Sequence, residues 1–449
     1  MNMDRNFARS GMETASSGGK GEGMTRLQRQ EMKSWSHMLG ARQMYTSVTA
    51  LLFVGSLLCL AAPVEAQTNG VRVGNGRLHP SLDLQVGYDS FAGVGFEGGS
   101  EATGDLLLRI LPGLSLEVPG PTAIFNLDAK ADYNRYLGID VRGTRALSYL
   151  GGNAHLGLVL NPGSRFTLEL GDRFSHSDRT SAVGLGVGVL SLFNEVYAAA
   201  SISPGGGAFI LRPVYSFAFE GFLSSRTISP LSDEADRFNY LSHRPGMEIS
   251  WRFLPKTALV LDVRSDIRRY PDEDFNVSSN ALYALLGVSG LITPRIAIVA
   301  RGGYGNSFVP EDELSGDIEN YQSFIGQLDG TYILSQTARF KAGVARTFFP
   351  VSRLGWYGDN RVYASGQALF AGRLLTELEG AVHFLNYAQG RQDVLLNPSL
   401  KAGYQITPWL NVGLGYRFSL RRSDEDGLDI PAATEYDRHE VFGAVMMKY

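Results

Sequence analysis

The sequence predicts an all-β fold: a transmembrane antiparallel up-and-down β-barrel of about 18 strands, with about 16 as the alternative and no plug domain. Three observations predict it: long segments that alternate apolar and polar residues, connections of two alternating kinds, and a secretion signal ahead of a chain that ends on an aromatic residue. The composition agrees, because the 449 residues include 53 Gly, 24 Phe and 20 Tyr, and only 19% are charged.

The N-terminal region contains a predicted secretion signal. An apolar run over 48–62 follows several basic residues, and the small residues of the tripeptide at 64–66 predict cleavage between Ala66 and Gln67. An uncleaved membrane anchor is the alternative, and the short apolar run argues against it. Cys59, the single cysteine, lies inside this run. The predicted organisation is a disordered or untranslated extension (1–36), a signal peptide (37–66), a periplasmic lead-in (67–77) and an outer-membrane β-barrel (78–449).

The segment FNLDAKADYNRYLG at 125–138 shows the alternation clearly. Its odd-numbered positions are apolar up to Tyr133, and the even-numbered positions between them carry amides and charges. A strand here would therefore have one apolar and one polar face. A soluble sheet shows the same pattern with its polar face toward water. The strand-like segments, however, run to about 10 to 16 residues, longer than the usual 5 to 6 of soluble strands, which favours a membrane wall crossed at a tilt.

The connections between these segments are of two kinds that alternate along the chain. Eight are tight and rich in Pro, Gly and Asn, such as 119–122 and 161–164. Nine are longer and more polar, such as 307–319 and 422–434, with a shorter member at 350–358. Seventeen connections join eighteen strands and leave both chain ends on the short-turn side. Short periplasmic turns, long outer loops and an even number of strands are typical of bacterial outer-membrane barrels.

Two features conflict with a regular wall. Pro112, Pro213, Pro245 and Pro398 lie inside predicted strands, where each lacks the N–H that a sheet without free edges needs. We expect them to mark bulges or interface positions, and strand boundaries near them stay open. The segment 276–292 is apolar on both faces near its middle, which predicts either a slipped register or a covered lumen side.

Charged residues at the inward positions of the predicted strands are candidates for lining a pore. A barrel of this size has a backbone diameter of about 35 Å, wide enough for water. Guanidinium groups that face carboxylates would set a transverse field and bind sugar hydroxyls or acidic polymers, whereas the alternative is that the charges only solvate a wet lumen. The candidates are Asp128, Lys130, Asp132, Asp262, Arg264, Asp266, Arg268, Arg339, Lys341, Glu377, Glu379, Lys401, Arg417 and Arg421.

The sequence predicts neither catalysis nor a cofactor. The histidines are scattered singly, and there is no G-x-S-x-G elbow and no H-E-x-x-H pair. The acidic run at 310–320 lacks the spacing of an EF-hand, so no metal site is predicted. Nothing in the sequence resembles a nucleic-acid site.

The chain ends in HEVFGAVMMKY. This end resembles the C-terminal assembly signal of outer-membrane proteins, which the barrel assembly machinery recognises by a terminal aromatic residue with apolar or small residues at every second position before it. The matching residues are Val441, Gly443, Val445, Met447 and Tyr449.

Over nearly its whole mature length the chain resembles the outer-membrane β-barrel porin family associated with exopolysaccharide or capsule production in Gram-negative bacteria. The shared features are architectural, so no binding residue is carried over. The resemblance implies secretion of a polysaccharide through an outer-membrane pore, together with a periplasmic polysaccharide export protein, in contact with outer-membrane lipid and lipopolysaccharide. Two alternatives stay open: a general or solute-specific diffusion porin, and an outer-membrane enzyme or structural barrel.

Overall fold

A computed structural model gives the fold over most of the chain. The predicted extension, signal peptide and cleavage position lie outside the residues that it describes, as do parts of several predicted outer loops. The described residues are 70–94, 102–139, 142–177, 190–205, 207–223, 236–310, 319–352, 355–424 and 435–449.

The described chain forms twenty strands, with short 3-10 segments at Arg142–Leu147 and at 236–238. The strands are β1 (Val71–Val73), β2 (Gly76–Val94), β3 (Ala102–Val118), β4 (Ala123–Tyr136), β5 (Tyr149–Leu160), β6 (Phe166–Ser177), β7 (Leu190–Ile202), β8 (Phe209–Leu223), β9 (Tyr240–Leu254), β10 (Thr257–Arg269), β11 (Ser279–Thr293), β12 (Ile296–Asn306), β13 (Gln322–Ile333), β14 (Ala338–Val351), β15 (Gly355–Phe370), β16 (Leu374–Tyr387), β17 (Gln392–Leu396), β18 (Ser399–Thr407), β19 (Leu410–Ser423) and β20 (Tyr436–Lys448). Among the described residues, no α-helix is long and apolar enough to cross a membrane.

These strands form one antiparallel sheet that closes on itself, because β2 pairs with β3 on one side and with β20 on the other. β1 pairs only with the start of β2. β17 and β18 both pair with β16 and with β19, so together they form one interrupted strand of the wall. The wall therefore has 18 strands, and the predicted fold class is confirmed.

The two faces of the wall differ in chemistry. On β19, Leu414 points to one face and Arg417 to the other, and the paired positions of β20 follow the same alternation. The Arg268 guanidinium of β10 donates to the Pro350 carbonyl of β14 at 2.8 Å. Strands this far apart in the sheet can touch only across its concave side, so the charged face is the inside. Exposed apolar residues of the opposite, outer face include Leu84, Val86, Leu156, Met247, Trp251, Leu286, Phe324, Leu328, Val344, Val362, Leu378, Leu400, Leu414 and Val445.

Each proline inside a predicted strand coincides with a gap in the ladder. The β3–β4 register skips at Pro112, the β7–β8 register skips at Pro213, and the β9–β10 register skips at Pro245. Pro398 falls between β17 and β18. Since proline has no N–H to donate, the wall tolerates it where pairing with one neighbour is locally open.

The strands on the long-loop side reach further than the sequence predicts. β2 and β3 extend into the segment 89–104, whose sequence predicts a long loop, and Asp89 and Asp105 are directly paired in the ladder. Both carboxylates are buried, and Asp89 accepts a hydrogen bond from the Arg438 Nε at 2.9 Å. Because the protein supplies partners for these charges, polar residues continue the strand here.

Candidate functional site

The register places all fourteen predicted pore-lining residues on the inner face of the wall. On β4, for example, Asp128 pairs with His155 and Lys130 with Asn153, on the face opposite the apolar residues. On β16 and β18, Glu377 pairs with Lys401. That these residues line a conducting path stays a prediction.

Seven of these fourteen residues form ion pairs with partners that the sequence analysis did not single out. Arg109 pairs with Asp132 on the neighbouring strand, and its Nε donates to Asp132 Oδ1 at 3.3 Å. The Arg417 Nη1 lies 3.0 Å from Glu440. Within the set of fourteen, Asp266 and Arg268 form an ion pair with each other. The partners that the sequence analysis did not name also occupy inward positions of their strands. The alternation of apolar and polar residues along those strands would therefore have identified them. Further pairs are Lys130 with Asp83, Asp262 with Arg301, Lys341 with Asp329, and Arg421 with Asp393.

A chain of alternating charges runs along the inner wall from β6 to β10. Arg173 lies 3.1 Å from Glu195, and Glu195 lies 3.3 Å from Arg244. Arg244 lies 3.6 Å from Asp266, which lies 3.2 Å from Arg268. Because each of these charged side chains contacts the next, the series holds the Arg268 guanidinium on the inner face of the wall. From there the guanidinium reaches the Pro350 carbonyl of β14.

At the long-loop end, the β14 side of a hairpin separates from β13 and bends over the inner face of the wall. Pairing between β13 and β14 ends at Gly326 and Arg346, whereas β14 stays paired with β15 as far as Val351 and Gly355. The described residues beyond the last β13 pair, 347–352 and 355–359, are called here the inner hairpin; on its β15 side, Tyr357 still pairs with Tyr387 of β16. The sequence predicts a loop over 350–358, and the structure corrects this: the pairing of β14 with β15 continues to Val351 and Gly355.

Phe348 anchors the inner hairpin to the wall. Its side chain is fully buried and stacks between Tyr283 and Tyr321, with ring centroids 4.6 Å and 4.3 Å away. Ile325 of β13 belongs to the same buried cluster. A Cβ at Gly305 would come within 2.6 Å of the Phe348 ring, so the glycine leaves the space that the ring needs. This cluster covers the lumen side of β11, which explains the apolar inner face of 276–292 without any slip in register.

Polar contacts fasten the same hairpin at three points. The Arg268 guanidinium donates to the Pro350 carbonyl, and the Tyr283 hydroxyl donates to the Phe348 carbonyl at 3.1 Å. The Ser352 hydroxyl donates to Asn276. Since apolar and polar contacts act together, the inner hairpin is a fixed part of the lumen.

The opposite surface of the inner hairpin faces the lumen. Phe349 is 42% exposed, although the other exposed aromatic side chains of the described wall strands lie on the outer face. Its ring centroid lies 5.2 Å from that of Tyr357. Tyr357 in turn packs with Leu385 and Tyr387 on the inner side of β16. The hairpin therefore occupies part of the lumen and turns an aromatic surface toward it.

Within the described part of the chain, no group of three or more His, Cys, Asp or Glu residues could hold a metal ion. The C-terminal residues complete the wall: the Tyr449 N–H donates to the Pro80 carbonyl at 3.0 Å, and β20 pairs with β2 and β19. Recognition of these residues by an assembly machinery stays a prediction.

No protein-family model matches the chain. No curated protein matches it. Similar solved structures include the outer membrane protein OpdK from Pseudomonas aeruginosa, at 12% identity and a TM-score of 0.45, over 83% of this chain and 99% of that chain. They also include OccAB4 from Acinetobacter baumannii, at 13% identity and 0.44, over 83% and 98%. The copper transporter OprC aligns at 11% identity and 0.45, over 84% and 66%.

The location of the chain follows from its own wall. A closed barrel of antiparallel strands leaves no unpaired backbone edge to lipid, and its outer face carries a continuous band of exposed apolar side chains. This is the architecture of barrels that span bacterial outer membranes. The chain is a bacterial outer-membrane β-barrel.

Proposed function

We propose that this barrel is an outer-membrane pore through which small polar solutes diffuse. The observation that carries the proposal is the inner hairpin, which is docked on the wall and narrows a lumen lined by charges of both signs. A fixed constriction restricts the size of what passes, and charged side chains keep the path wet. Transport, rather than catalysis, is the role that these features support.

The alternative role is secretion of a polysaccharide, which the resemblance to the exopolysaccharide-associated porin family implies. The experiment described below distinguishes the two roles. The inner hairpin favours small solutes, because a long polymer would have to pass a constriction held by Phe348 and Arg268. An export role would also involve a periplasmic polysaccharide export protein. Contacts with lipid and lipopolysaccharide are expected for either role.

The test uses the purified mature barrel, refolded and inserted into planar bilayers and into liposomes. We expect a steady open conductance, and liposome swelling rates that fall steeply as the solute grows from a monosaccharide to an oligosaccharide. A barrel that conducts and is blocked by long polysaccharide fragments, but not by small sugars, would favour polysaccharide export. A barrel that does not conduct would contradict both roles.

A further inference from the structure

A recess in the inner wall, near the seam where β2 meets β20, has a cavity of about 430 Å³. Glycines replace larger side chains along its floor, among them Gly87, Gly403 and Gly413. A Cβ added at Gly403 would meet no heavy atom within 4 Å, so the recess is open at this position. The volume lies in the range of about 300 to 1,000 Å³ that is usual for small-molecule sites.

One wall of the recess is apolar. Phe442 lies against the backbone of the neighbouring strand, where a Cβ at Gly415 would come within 2.1 Å of its ring. Only glycine at this position allows the ring to lie flat. Leu107 and Leu375 also line the recess. The floor and this wall can therefore bury the apolar part of a ligand.

The charges around the recess are balanced. Its lining includes three basic and three acidic side chains, so its formal charges cancel. A ligand with a single charge therefore meets as many like as opposite charges, whereas a ligand that carries both signs can satisfy both. The six residues are Arg109, Lys401, Arg417, Asp89, Glu377 and Glu440.

Two of these charges are left for a ligand. Lys401 and Glu377 occupy directly paired positions on β18 and β16, but no ion pair forms between them in the described structure. Among the described residues, Lys401 has no hydrogen-bond or ion-pair partner. Glu377 accepts one hydrogen bond, from the Gln367 amide at 3.3 Å. Arg417 differs, because Glu440 already neutralises it at 3.0 Å.

We propose that this recess binds small zwitterions with an apolar side chain, the chemistry of a free apolar amino acid. The ligand carboxylate lies at the Lys401 ammonium and the ligand ammonium at the Glu377 carboxylate. The ligand side chain lies over Gly403 against Phe442. The proposal rests on the proposed diffusion function and names a substrate class for it.

The test measures binding of L-phenylalanine to the refolded barrel by equilibrium dialysis. Gly403→Leu fills the recess, and we expect it to weaken binding by about tenfold or more. The matched control is Gly330→Leu: its Cβ also meets nothing within 4 Å, but Gly330 pairs with Ala342 on the outer face. The control should bind like the unmodified barrel. Equal binding by both variants would overturn the proposed location.

Two analogues test the charge requirement. Phenethylamine lacks the carboxylate and 3-phenylpropanoate lacks the ammonium, and we expect each to bind about tenfold more weakly than phenylalanine. Lys401→Met should weaken phenylalanine but leave phenethylamine unchanged. If 3-phenylpropanoate binds as tightly as phenylalanine, or if no compound binds at millimolar concentration, the proposal is overturned.

Conductance measured on the same preparations separates the two proposals. Open channels that bind no phenylalanine would refute the recess site and leave diffusion intact. Binding of phenylalanine by a barrel that does not conduct would refute the diffusion role, while the site itself would stand as a binding site.

Discussion

The ring of Phe348 stacks on the ring of Tyr283 with the two planes inclined by 19°, although β14 and β11 are separated by two strands of the wall. Residues at such separation meet only when one segment crosses the inside of the barrel. The contact therefore defines the inner hairpin as a packed constriction, and its removal should be measurable as a change in the pore.

Phe348→Ala should release the inner hairpin and raise the single-channel conductance. Loss of a fully buried phenylalanine costs about 3 to 5 kcal/mol, more than the three polar contacts are expected to compensate. The exclusion limit in liposome swelling should rise with the conductance. Phe340→Ala is the control, because Phe340 is 49% exposed on the outer face and should leave the conductance unchanged. An unchanged exclusion limit in Phe348→Ala would show that the hairpin does not set the width of the pore.

Asp393→Asn should lower the free energy of unfolding by about 3 to 5 kcal/mol. The Asp393 side chain is fully buried between Arg391, at 2.8 Å, and Arg421, at 2.5 Å, so the substitution leaves two buried guanidinium groups without their anion. Urea unfolding in lipid vesicles measures the change. Arg422→Gln removes the half-exposed pair with Asp437 and should cost at most about 1 kcal/mol. Similar losses in both variants would contradict this ranking.

Leu414→Arg should destabilise the inserted barrel by about 2 to 4 kcal/mol, because it places a charge in the apolar band that faces lipid. Among the large apolar residues that the structure describes, Leu414 is the most exposed, at 71%. Asn153→Arg is the matched change on the inner face, where Asn153 pairs with Lys130 and Ser175. Reversible unfolding from vesicles compares them. If the inner substitution costs as much as the outer one, the assignment of the two faces is wrong.

Gly415→Ala should displace the Phe442 ring and destabilise the barrel by about 1 to 3 kcal/mol. The added methyl group would overlap the ring. Gly403→Ala is the control, since its added Cβ has open space, and it should be nearly neutral. The temperature at which the folded band disappears in gel electrophoresis compares the two variants. Equal temperatures would show that Phe442 does not lie flat on the strand.

Much of the wall could be predicted from the alternation of residues and from turn chemistry. The two faces of β19 follow from Leu414 and Arg417. The eight predicted short turns all lie at junctions between strands of the structure, and all but the Ser-Gln turn at 335–336 contain Pro, Gly or Asn. The inner hairpin could not be predicted in this way. Pro350 and Trp356 read as loop residues, and their strand pairing depends on contacts of Phe348 with residues far away in the sequence. The recess could not be predicted from the sequence either, because its shape depends on glycines of several strands that come together only when the barrel closes.

The seam between β2 and β20 joins the first and the last strand of the closed wall. Asp89 and Arg438 meet across it although 349 positions separate them in the chain. Until the last strand is in place, β2 keeps an open edge whose backbone groups lipid cannot satisfy. A partial barrel therefore lacks the β2–β20 pairing that removes its open edge. The free energy gained when these backbone groups are paired is released only in the final step, when the barrel closes. Assembly of this wall is therefore all-or-none, and it must await the end of synthesis.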